Sequence, residues 1–360
     1  MSTLLLSAGE RSGDLLGGAV LRSLLQLQPD LSVTGVAGPA MRAAGRDRLQ
    51  PFADIDQLSG AGLVELVPRL PSILGVRTLL REAIELGQPR AAVLIDAPDL
   101  HLPLLARARQ AGVRAIQLVA PQFWAWRPGR ARRLAEGADC VLCLFRFETQ
   151  RLEEVGARAV WVGHPVVERA ADARAGRRQG RRRLVLLPGS RAHEQARHAE
   201  AFVEAAKEAT RGLDVQVVLS WPSKRPSPPG VETSDEEGIA LLAGADAALV
   251  APGTATLEAA MVDCPTVVAG ALHPASAFVA RRLLQVDHVA LPNLLLGTRR
   301  VPEVLQDLSA HRLAPVLRRA LDPEARLQAR GLREELAEVL GPPGFGDRAA
   351  RAILENLEMA

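Results

Sequence analysis

The chain has 360 residues, 48% of them hydrophobic, and a formal net charge of +3. This length favours two domains, and the composition is that of a folded globular protein, which excludes a disordered chain. No apolar run reaches the roughly 18–20 residues that a membrane-spanning helix needs, and the first residues lack the pattern of a secretory signal peptide. We therefore expect a cytoplasmic protein with two domains.

Composition also argues against two kinds of site. Cys140 and Cys143 form a CxxC pair inside an apolar, strand-like run with no second ligand pair, so buried cysteines are favoured over a metal or redox site. Six arginines fall between residues 174 and 183, but aromatic residues make up only 3% of the chain and no nucleic-acid module is recognisable. This basic cluster is interpreted as a solvated linker, or as a rim facing an anionic membrane or a phosphorylated substrate.

Short apolar runs alternate with helical patterns along the chain, which predicts an α/β fold with parallel sheets. The first series has strands at residues 3–7, 32–37, 91–96, 113–119, 139–144 and 159–162, with a helix over 14–26. The polar stretch after Gly163-His164-Pro165 is interpreted as a hinge. The second series has strands at 184–187, 215–220, 247–250 and 266–268, a helix over 193–210 and a surface loop at 222–230. Two Rossmann-like halves predict one ligand cleft at the carboxyl ends of their strands.

Polar residues follow several strands of the first series. The turn after the first strand carries Glu10 and Ser12, and either Ser12 or Asp14 is expected to cap the next helix. Asp96 ends an apolar run, at the sheet edge where general bases commonly lie, whereas Asp99 is better explained as a helix cap. A tryptophan cluster at 124–126 either lines a sugar or acyl pocket or packs into the core.

Two turns in the second series suit phosphate groups. Arg191 follows a strand and a glycine turn, where its guanidinium can hold phosphate oxygens. Gly253 precedes a helix start at which N–H groups and the hydroxyls of Thr254 and Thr256 can bind an anion. Glu258, one turn further, can accept hydrogen bonds from ribose hydroxyls. A simple helix cap by Thr256 is the alternative.

Taken in this order, the motifs resemble the lipid-A-disaccharide synthase family, glycosyltransferases of the GT-B fold, in which two Rossmann-like domains with parallel sheets face an interdomain cleft. Eight collinear segments carry the resemblance, at residues 8–14, 35–41, 95–99, 124–127, 162–165, 186–191, 253–258 and 291–295. It implies an acceptor- and membrane-side domain at residues 1–168 and a UDP-sugar-binding domain at residues 169–344. A C-terminal helix at residues 345–360 would return to the first domain or contact a partner subunit.

The resemblance implies transfer of 2,3-diacylglucosamine from its UDP derivative to 2,3-diacylglucosamine 1-phosphate, with inversion and release of UDP. Asp96 would be the general base, and Glu10 and Ser12 would meet a substrate. UDP would be held by Arg191, Gly253, Thr254, Thr256, Glu258 and Asn293. Neither a metal nor another cofactor is expected, and nucleic acid is not a partner. The resemblance implies that the chain binds the inner face of the cytoplasmic membrane. It is also compatible with a homodimer.

The segment from residue 62 to residue 80 corresponds to the family's membrane-facing part. Its expected apolar face, for acyl chains or membrane, comprises Leu63, Leu66, Val67, Leu70, Ile73, Leu74 and Val76. The alternative is an ordinary amphipathic helix that packs into the core, and two prolines, Pro68 and Pro71, weaken a continuous helix.

The chain departs from the family at several motif positions. His101 stands where asparagine is usual, Ala120 stands where serine is usual, and the tyrosine common after residue 268 is absent. These departures leave the acyl-chain preference and the acceptor open. Two other hypotheses are a UDP-N-acetylglucosamine 2-epimerase, for which His164 and His273 would be the histidines available, and a non-catalytic lipid-binding relic.

Overall fold

Both parallel sheets predicted from the sequence are present in the computed structural model, which describes residues 3–58, 70–124, 128–176, 180–223, 225–271 and 287–358. The strands are β1 Thr3–Ala8, β2 Ser32–Ala37, β3 Leu49–Asp54, β4 Ala91–Ile95, β5 Arg114–Leu118, β6 Cys140–Cys143, β7 Ala159–Trp161, β8 Arg183–Leu187, β9 Gln216–Ser220, β10 Glu232–Ser234, β11 Ala247–Val250, β12 Thr266–Gly270 and β13 Glu303–Leu305.

Helices cover these strands. They are α1 Arg11–Leu27, α2 Pro39–Gly45, α3 Leu70–Glu85, α4 Pro98–Gln110, α5 Gly129–Gly137, α6 Arg146–Glu153, α7 Val166–Ala175, α8 Ala192–Ala209, α9 Gly238–Ala243, α10 Thr254–Met261, α11 Leu291–Leu296, α12 Ala310–Ala320, α13 Pro323–Leu340 and α14 Phe345–Glu358. No helix in the described ranges is both long enough and apolar enough to cross a membrane.

The chain divides into two compact units, one made of Met1–Pro165 with Pro342–Ala360 and the other of Val166–Gly341. The first unit contains a seven-stranded parallel sheet in the order β3-β2-β1-β4-β5-β6-β7. Its C-terminal helix α14 packs against α1, where Ser23 Oγ donates to Asp347 Oδ1 at 2.7 Å. The second unit contains a six-stranded parallel sheet in the order β10-β9-β8-β11-β12-β13.

The central strands of both sheets are continuous buried apolar runs. β4 and β11 expose none of their residues, because helices lie on both faces of a doubly wound sheet. β6 is also fully buried, and it contains the free thiols of Cys140 and Cys143. The interpretation as buried strand cysteines is therefore confirmed, and burial raises the pKa of both thiols.

One predicted loop is a helix. The polar stretch after Pro165, interpreted as a hinge, forms α7, which belongs to the second unit. Its buried residues Val166 and Ala170 lie four positions apart, the spacing that places two side chains on one helix face. The described residues 166–176 are therefore largely helical and not an irregular linker, whereas the boundary between the two units does lie at the start of this stretch, between Pro165 and Val166.

Each sheet has one point where its strand order reverses direction. In the first sheet this point lies between β1 and β4, and in the second it lies between β8 and β11. Ligands of open parallel sheets bind at the carboxyl ends of the strands at such points. The residues that follow these four strands therefore define a candidate site in each unit.

Candidate functional site

Asp96 lies directly after β4, beside the ends of β1 and β5. Its φ is +50° and that of Ala97 is +45°, so two successive non-glycine residues are left-handed. This conformation costs roughly 1–2 kcal/mol per residue and persists only where surrounding contacts hold it. Gly9, in the turn after β1, allows the close approach, because a Cβ on Gly9 would lie 2.3 Å from the Cβ of Ala97. The residue predicted as general base thus occupies a strained turn at the reversal point.

A buried histidine anchors the backbone of Asp96. His101 Nδ1 lies 2.9 Å from the Asp96 carbonyl oxygen, and His101 Nε2 lies 3.0 Å from Ser7 Oγ. Because a carbonyl can only accept, Nδ1 carries the proton, and Nε2 accepts the hydroxyl of Ser7. Burial lowers the pKa of His101 to about 4, which keeps the imidazole neutral. Gln117 Nε2 donates to the same Asp96 carbonyl at 3.3 Å, so two side chains hold it.

Glu10 and Ser12 lie at the start of α1, and both are exposed. The expectation that Ser12 or Asp14 caps α1 is wrong, because the N-cap residue is Glu10. Asp14 instead caps the neighbouring helix α2. Its buried carboxylate accepts, at 2.8–3.0 Å, three backbone N–H groups, those of Gly38, Ala40 and Met41. Asp14 therefore links the first turn of α1 to the turn after β2. The side chains of Glu10 and Ser12 remain exposed at the sheet edge.

A second carboxyl group, that of Glu148 on α6, interacts electrostatically with Asp96. Glu148 is 2% exposed, and it accepts hydrogen bonds from Trp124 Nε1 at 3.1 Å and from the Phe145 N–H at 3.2 Å. Burial raises the pKa of Glu148 to about 7, and the charge of Asp96 contributes to the same direction. The sequence analysis missed Glu148. The signal that could have found it is a carboxylate that follows the buried strand β6 and the pair Arg146-Phe147.

The turn after β11 has the form predicted for a phosphate site. Gly253 is the N-cap residue of α10 with φ +145°, and Gly253 and Thr254 are both exposed. The first N–H groups of a helix have no intrahelical acceptor and carry its positive dipole end, so they can bind an anion. Arg191 is the N-cap residue of α8, after the neighbouring strand β8, and its half-exposed guanidinium lies 3.5 Å from Glu194.

Thr256 makes only internal contacts through its hydroxyl. The buried Thr256 Oγ1 donates to the Gly253 carbonyl at 2.8 Å and accepts the Leu291 N–H at 3.1 Å. Its single hydroxyl hydrogen is already used, so the expected donation to phosphate is not supported. The alternative interpretation, a cap that ties the turn to the start of α10, describes this threonine better.

Asn293 is also a structural residue. It is fully buried on α11, and its amide nitrogen donates to Val301 O at 2.8 Å and to Glu303 Oε1 at 2.9 Å. Its amide oxygen accepts the N–H groups of Arg300 and Val301, both at 2.8 Å. All four hydrogen-bonding positions of the amide are therefore occupied, and the expected contact with UDP has no free group to make it.

Glu258 lies one turn into α10 and forms a partly buried ion pair. Arg169 Nη1 on α7 donates to Glu258 Oε1 at 2.8 Å, and Arg169 Nη2 lies 2.5 Å from Glu237 Oε1. Burial raises the pKa of Glu258, and the charge of Arg169 opposes this rise. Arg169 was missed because it falls in the stretch interpreted as a hinge.

The expected apolar surface is described only in part. Leu63, Leu66 and Val67 lie outside the described residues, and Leu70 begins α3. Ile73 is half-buried and Leu74 is 56% exposed, whereas Val76, Leu80 and Ile84 form the buried face of the helix. The expectation that Val76 belongs to the exposed face is thus wrong, and this part of the segment is an amphipathic helix that also exposes Leu74 and Leu79. Trp126, Arg127 and His273 likewise lie outside the described residues.

Four arginines of the basic cluster are bound inside the second unit. Arg174 and Arg182 donate to backbone carbonyls, Arg181 pairs with Asp214, and Arg183 donates to Gln216. Arg177 and Arg178 lie outside the described residues. Elsewhere, among the residues that the structure describes, no three His, Cys, Asp or Glu side chains come together as a metal site.

Comparison with known proteins identifies the family. A protein-family model described as Lipid-A-disaccharide synthetase matches residues 4–320. The lipid-A-disaccharide synthase of Anaeromyxobacter dehalogenans (strain 2CP-1) is 37% identical over 373 residues, covering 98% of this chain and 96% of the relative. That of Rhodospirillum centenum is 39% identical over 386 residues, covering 98% and 94%.

Solved structures share the fold. The MurG structure from Acinetobacter baumannii covers 100% of both chains with a TM-score of 0.58 and 13% identity. The spinosyn forosaminyltransferase SpnP covers 99% of both chains with a TM-score of 0.60 and 15% identity. Such low identities show the fold alone, which is the predicted GT-B fold. Family membership favours a transferase over the 2-epimerase and the non-catalytic alternatives. The chain belongs to the lipid-A-disaccharide synthase family and is a glycosyltransferase of lipid A biosynthesis that acts on a sugar nucleotide and a lipid.

Proposed function

We propose that the chain transfers 2,3-diacylglucosamine from UDP-2,3-diacylglucosamine to 2,3-diacylglucosamine 1-phosphate (lipid X). The products are the β-1,6-linked lipid A disaccharide 1-phosphate and UDP. The observation that carries this proposal is Asp96, a carboxylate held in a strained turn after the central strand β4. Strain of this kind is kept where function needs a side chain in one direction.

Asp96 acts as the general base in this proposal. It takes the proton of the acceptor 6-hydroxyl while that oxygen bonds to the anomeric carbon of the donor. The bond between the anomeric carbon and the UDP oxygen breaks, and UDP leaves with the electron pair. A single displacement inverts the anomeric centre and needs only this one base. Glu10 and Ser12, exposed at the same sheet edge, would bind hydroxyl or phosphate groups of a sugar substrate.

UDP is bound by the second unit in this proposal. The N–H groups at the start of α10, after Gly253, and the hydroxyl of Thr254 would bind the diphosphate. Arg191 would add a charged contact to the phosphate oxygens. Glu258 would accept hydrogen bonds from the ribose hydroxyls, because Arg169 occupies its Oε1 and the described residues give its Oε2 no partner.

The lipid substrates place the reaction at a membrane in this proposal, and the chain would bind the inner face of the cytoplasmic membrane peripherally. Exposed leucines on α3 support this location. Leu74 and Leu79 lie beside Arg77 and Arg81 on the same helix, a combination that suits acyl chains and anionic headgroups. A homodimer is compatible with this proposal, and sedimentation of the purified chain decides its oligomeric state.

The test uses short-acyl versions of donor and acceptor, with mass spectrometry of the products and NMR of the new glycosidic bond. We expect a β-linked disaccharide 1-phosphate and one UDP per product, only when the acceptor is present. Asp96→Asn should lose turnover and still bind UDP. Asp99→Asn is the matched control, because this nearby carboxylate pairs with Arg130 and should leave turnover near the parent value.

Three outcomes contradict the proposal. An epimerised sugar formed without acceptor identifies a different reaction. A retained anomeric configuration contradicts the single displacement. Full activity of Asp96→Asn removes the base from this residue.

A further inference from the structure

The turn at Asp96 and Ala97 is an unusual place for ordinary side chains. Both residues have positive φ, a conformation that glycine adopts far more readily. The two residues could relax by turning the intervening peptide, unless its carbonyl is held. The contacts at the Asp96 carbonyl therefore decide whether the turn keeps its shape.

That carbonyl has a strong partner in His101. The hydrogen bond from His101 Nδ1 is 2.9 Å long, while the second donor, Gln117 Nε2, is 3.3 Å away and also lies near the carbonyl oxygens of Leu118 and Val119. Gln117 is thus shared among three acceptors. The His101 bond is the shorter of the two, so it contributes most to holding the peptide.

His101 is itself fixed from its other side. The ring is fully buried, and Ser7 on β1 donates its hydroxyl to Nε2 at 3.0 Å. Because the imidazole is neutral, it has one donor and one acceptor, and these lie against the Asp96 carbonyl and the Ser7 hydroxyl, with the backbone of Ile95 as a further contact of the ring. The ring therefore joins the strand β1 to the turn after β4, across the point where the sheet order reverses.

We infer that His101 is a positioning residue for Asp96. Through its hydrogen bond to the Asp96 carbonyl, His101 holds the left-handed turn. The turn in turn sets the direction in which the carboxylate of Asp96 leaves β4. This inference rests on the proposed function of Asp96 as general base. Loss of the hydrogen bond lets the peptide between Asp96 and Ala97 rotate and displaces the carboxylate from the acceptor hydroxyl. Displacements of about 1 Å can lower catalysis about 100-fold.

A purely structural histidine is the competing explanation, and two amide variants separate the two. Asparagine carries its amide nitrogen at the position of Nδ1, so His101→Asn keeps the donor to the Asp96 carbonyl. Glutamine carries its amide at the position of Nε2. In His101→Gln the amide therefore faces Ser7, and the donor to the Asp96 carbonyl is lost. Both variants are polar and uncharged, and both leave some space unfilled in the same buried site.

The measurement is kcat and KM for donor and acceptor, expressed per UDP-binding site, with the melting temperature of each variant. We expect His101→Asn to stay within about threefold of the parent kcat and His101→Gln to lose about 10- to 100-fold, with KM and UDP affinity unchanged. A lower melting temperature shared by both variants does not alter this expectation, because the inference concerns the difference between them.

Equal kcat values for the two variants overturn the inference, whether both are active or both are inactive. Failure of the proposed function looks different, because it appears in the parent or in Asp96→Asn. An active parent, an inactive Asp96→Asn and a fully active His101→Gln leave the base in place and remove only the positioning role.

Discussion

Arg169 on α7 donates one hydrogen bond to Glu258 on α10 at 2.8 Å and reaches Glu237 at 2.5 Å with its other terminal nitrogen. Glu258 is largely buried, and burial alone would favour its protonated form. The charge of the guanidinium opposes this rise in the pKa of Glu258, and its hydrogen bond fixes one of the two carboxylate oxygens. The ribose-binding role proposed for Glu258 therefore depends on a residue that belongs to none of the sequence motifs.

Replacing Arg169 should weaken ribose recognition. In Arg169→Gln, Glu258 loses its cation and becomes a poorer acceptor, so we expect UDP affinity to fall about 10-fold and the preference for UDP over 2′-deoxy-UDP to shrink. Calorimetric titration with both nucleotides measures this preference. Glu237→Gln is the control, since it removes the exposed partner of Arg169 and should leave the preference intact. An unchanged preference in Arg169→Gln would show that Glu258 needs no cation.

Glu148 should make the stability of the first unit depend on pH. Its pKa is raised by burial from 4.5 to about 7, so the folded state binds a proton that the unfolded state releases. The stabilisation is complete below about pH 4.5 and is lost as the pH rises through about 7, an effect of up to about 3 kcal/mol. Glu148→Gln cannot ionise and still accepts the Trp124 N–H.

Urea unfolding of parent and Glu148→Gln from pH 4.5 to pH 8 measures this effect. The free energy of unfolding of the parent should fall relative to that of the variant as the pH rises across this range. Glu153→Gln, at an exposed position of the same helix α6, should follow the parent at every pH. Parallel curves for parent and Glu148→Gln would mean that Glu148 titrates normally.

The sequence predicts the central strands and the edge strand β7, but it misses the other three edge strands. The strands that were missed, β3, β10 and β13, each lie at an edge of a sheet. An edge strand pairs on one side only and has no need of a continuous apolar run; β3 even contains Pro51. Because β4 and β11 are buried on both faces, their sequences are continuous apolar runs, and such runs can be recognised in the sequence.

The candidate site divides in a similar way. The motif positions Asp96 and Gly253 follow central strands, and alternation of strands and turns is enough to place them at the sheet edge. Asn293 looked like a ligand because it lies in a motif, but a motif can also preserve a buried amide that closes a loop. Contacts such as that between Arg169 and Glu258 join residues 89 positions apart, and no local pattern reveals them.

Thr254 and Asn293 should respond in opposite ways to substitution. Thr254→Val removes an exposed hydroxyl at the start of α10, so we expect UDP affinity to fall several-fold, by about 1 kcal/mol, with little change in stability. Asn293→Ala leaves the N–H groups of Arg300 and Val301 without their acceptor, which should lower the free energy of unfolding by about 3 kcal/mol.

Thermal unfolding and UDP titration of both variants separate these roles. The remaining folded fraction of Asn293→Ala should bind UDP with nearly the parent affinity, because its side chain offers no free group to a ligand. A stable Asn293→Ala with greatly weakened UDP binding would restore the direct contact that the sequence predicts.

Exposed leucines on α3 should contribute to membrane binding. Leu74 is 56% exposed and Leu79 is 42% exposed, while Val76 and Leu80 on the same helix are buried. Replacing both exposed leucines by serine removes apolar contact without touching the buried face. We expect binding to vesicles of anionic phospholipid to fall about 10-fold, a modest value because each leucine is only partly exposed.

Leu327→Ser is the matched control for these leucines, because this side chain on α13 is 67% exposed and lies outside the proposed membrane surface. Co-sedimentation with vesicles at low and at high salt separates the two contributions that α3 offers. Salt should weaken the attraction of Arg77 and Arg81 for anionic headgroups and leave the leucine contribution in place, since only the charges are screened. Equal loss of binding in Leu327→Ser and in the double variant would mean that α3 has no special role at the membrane.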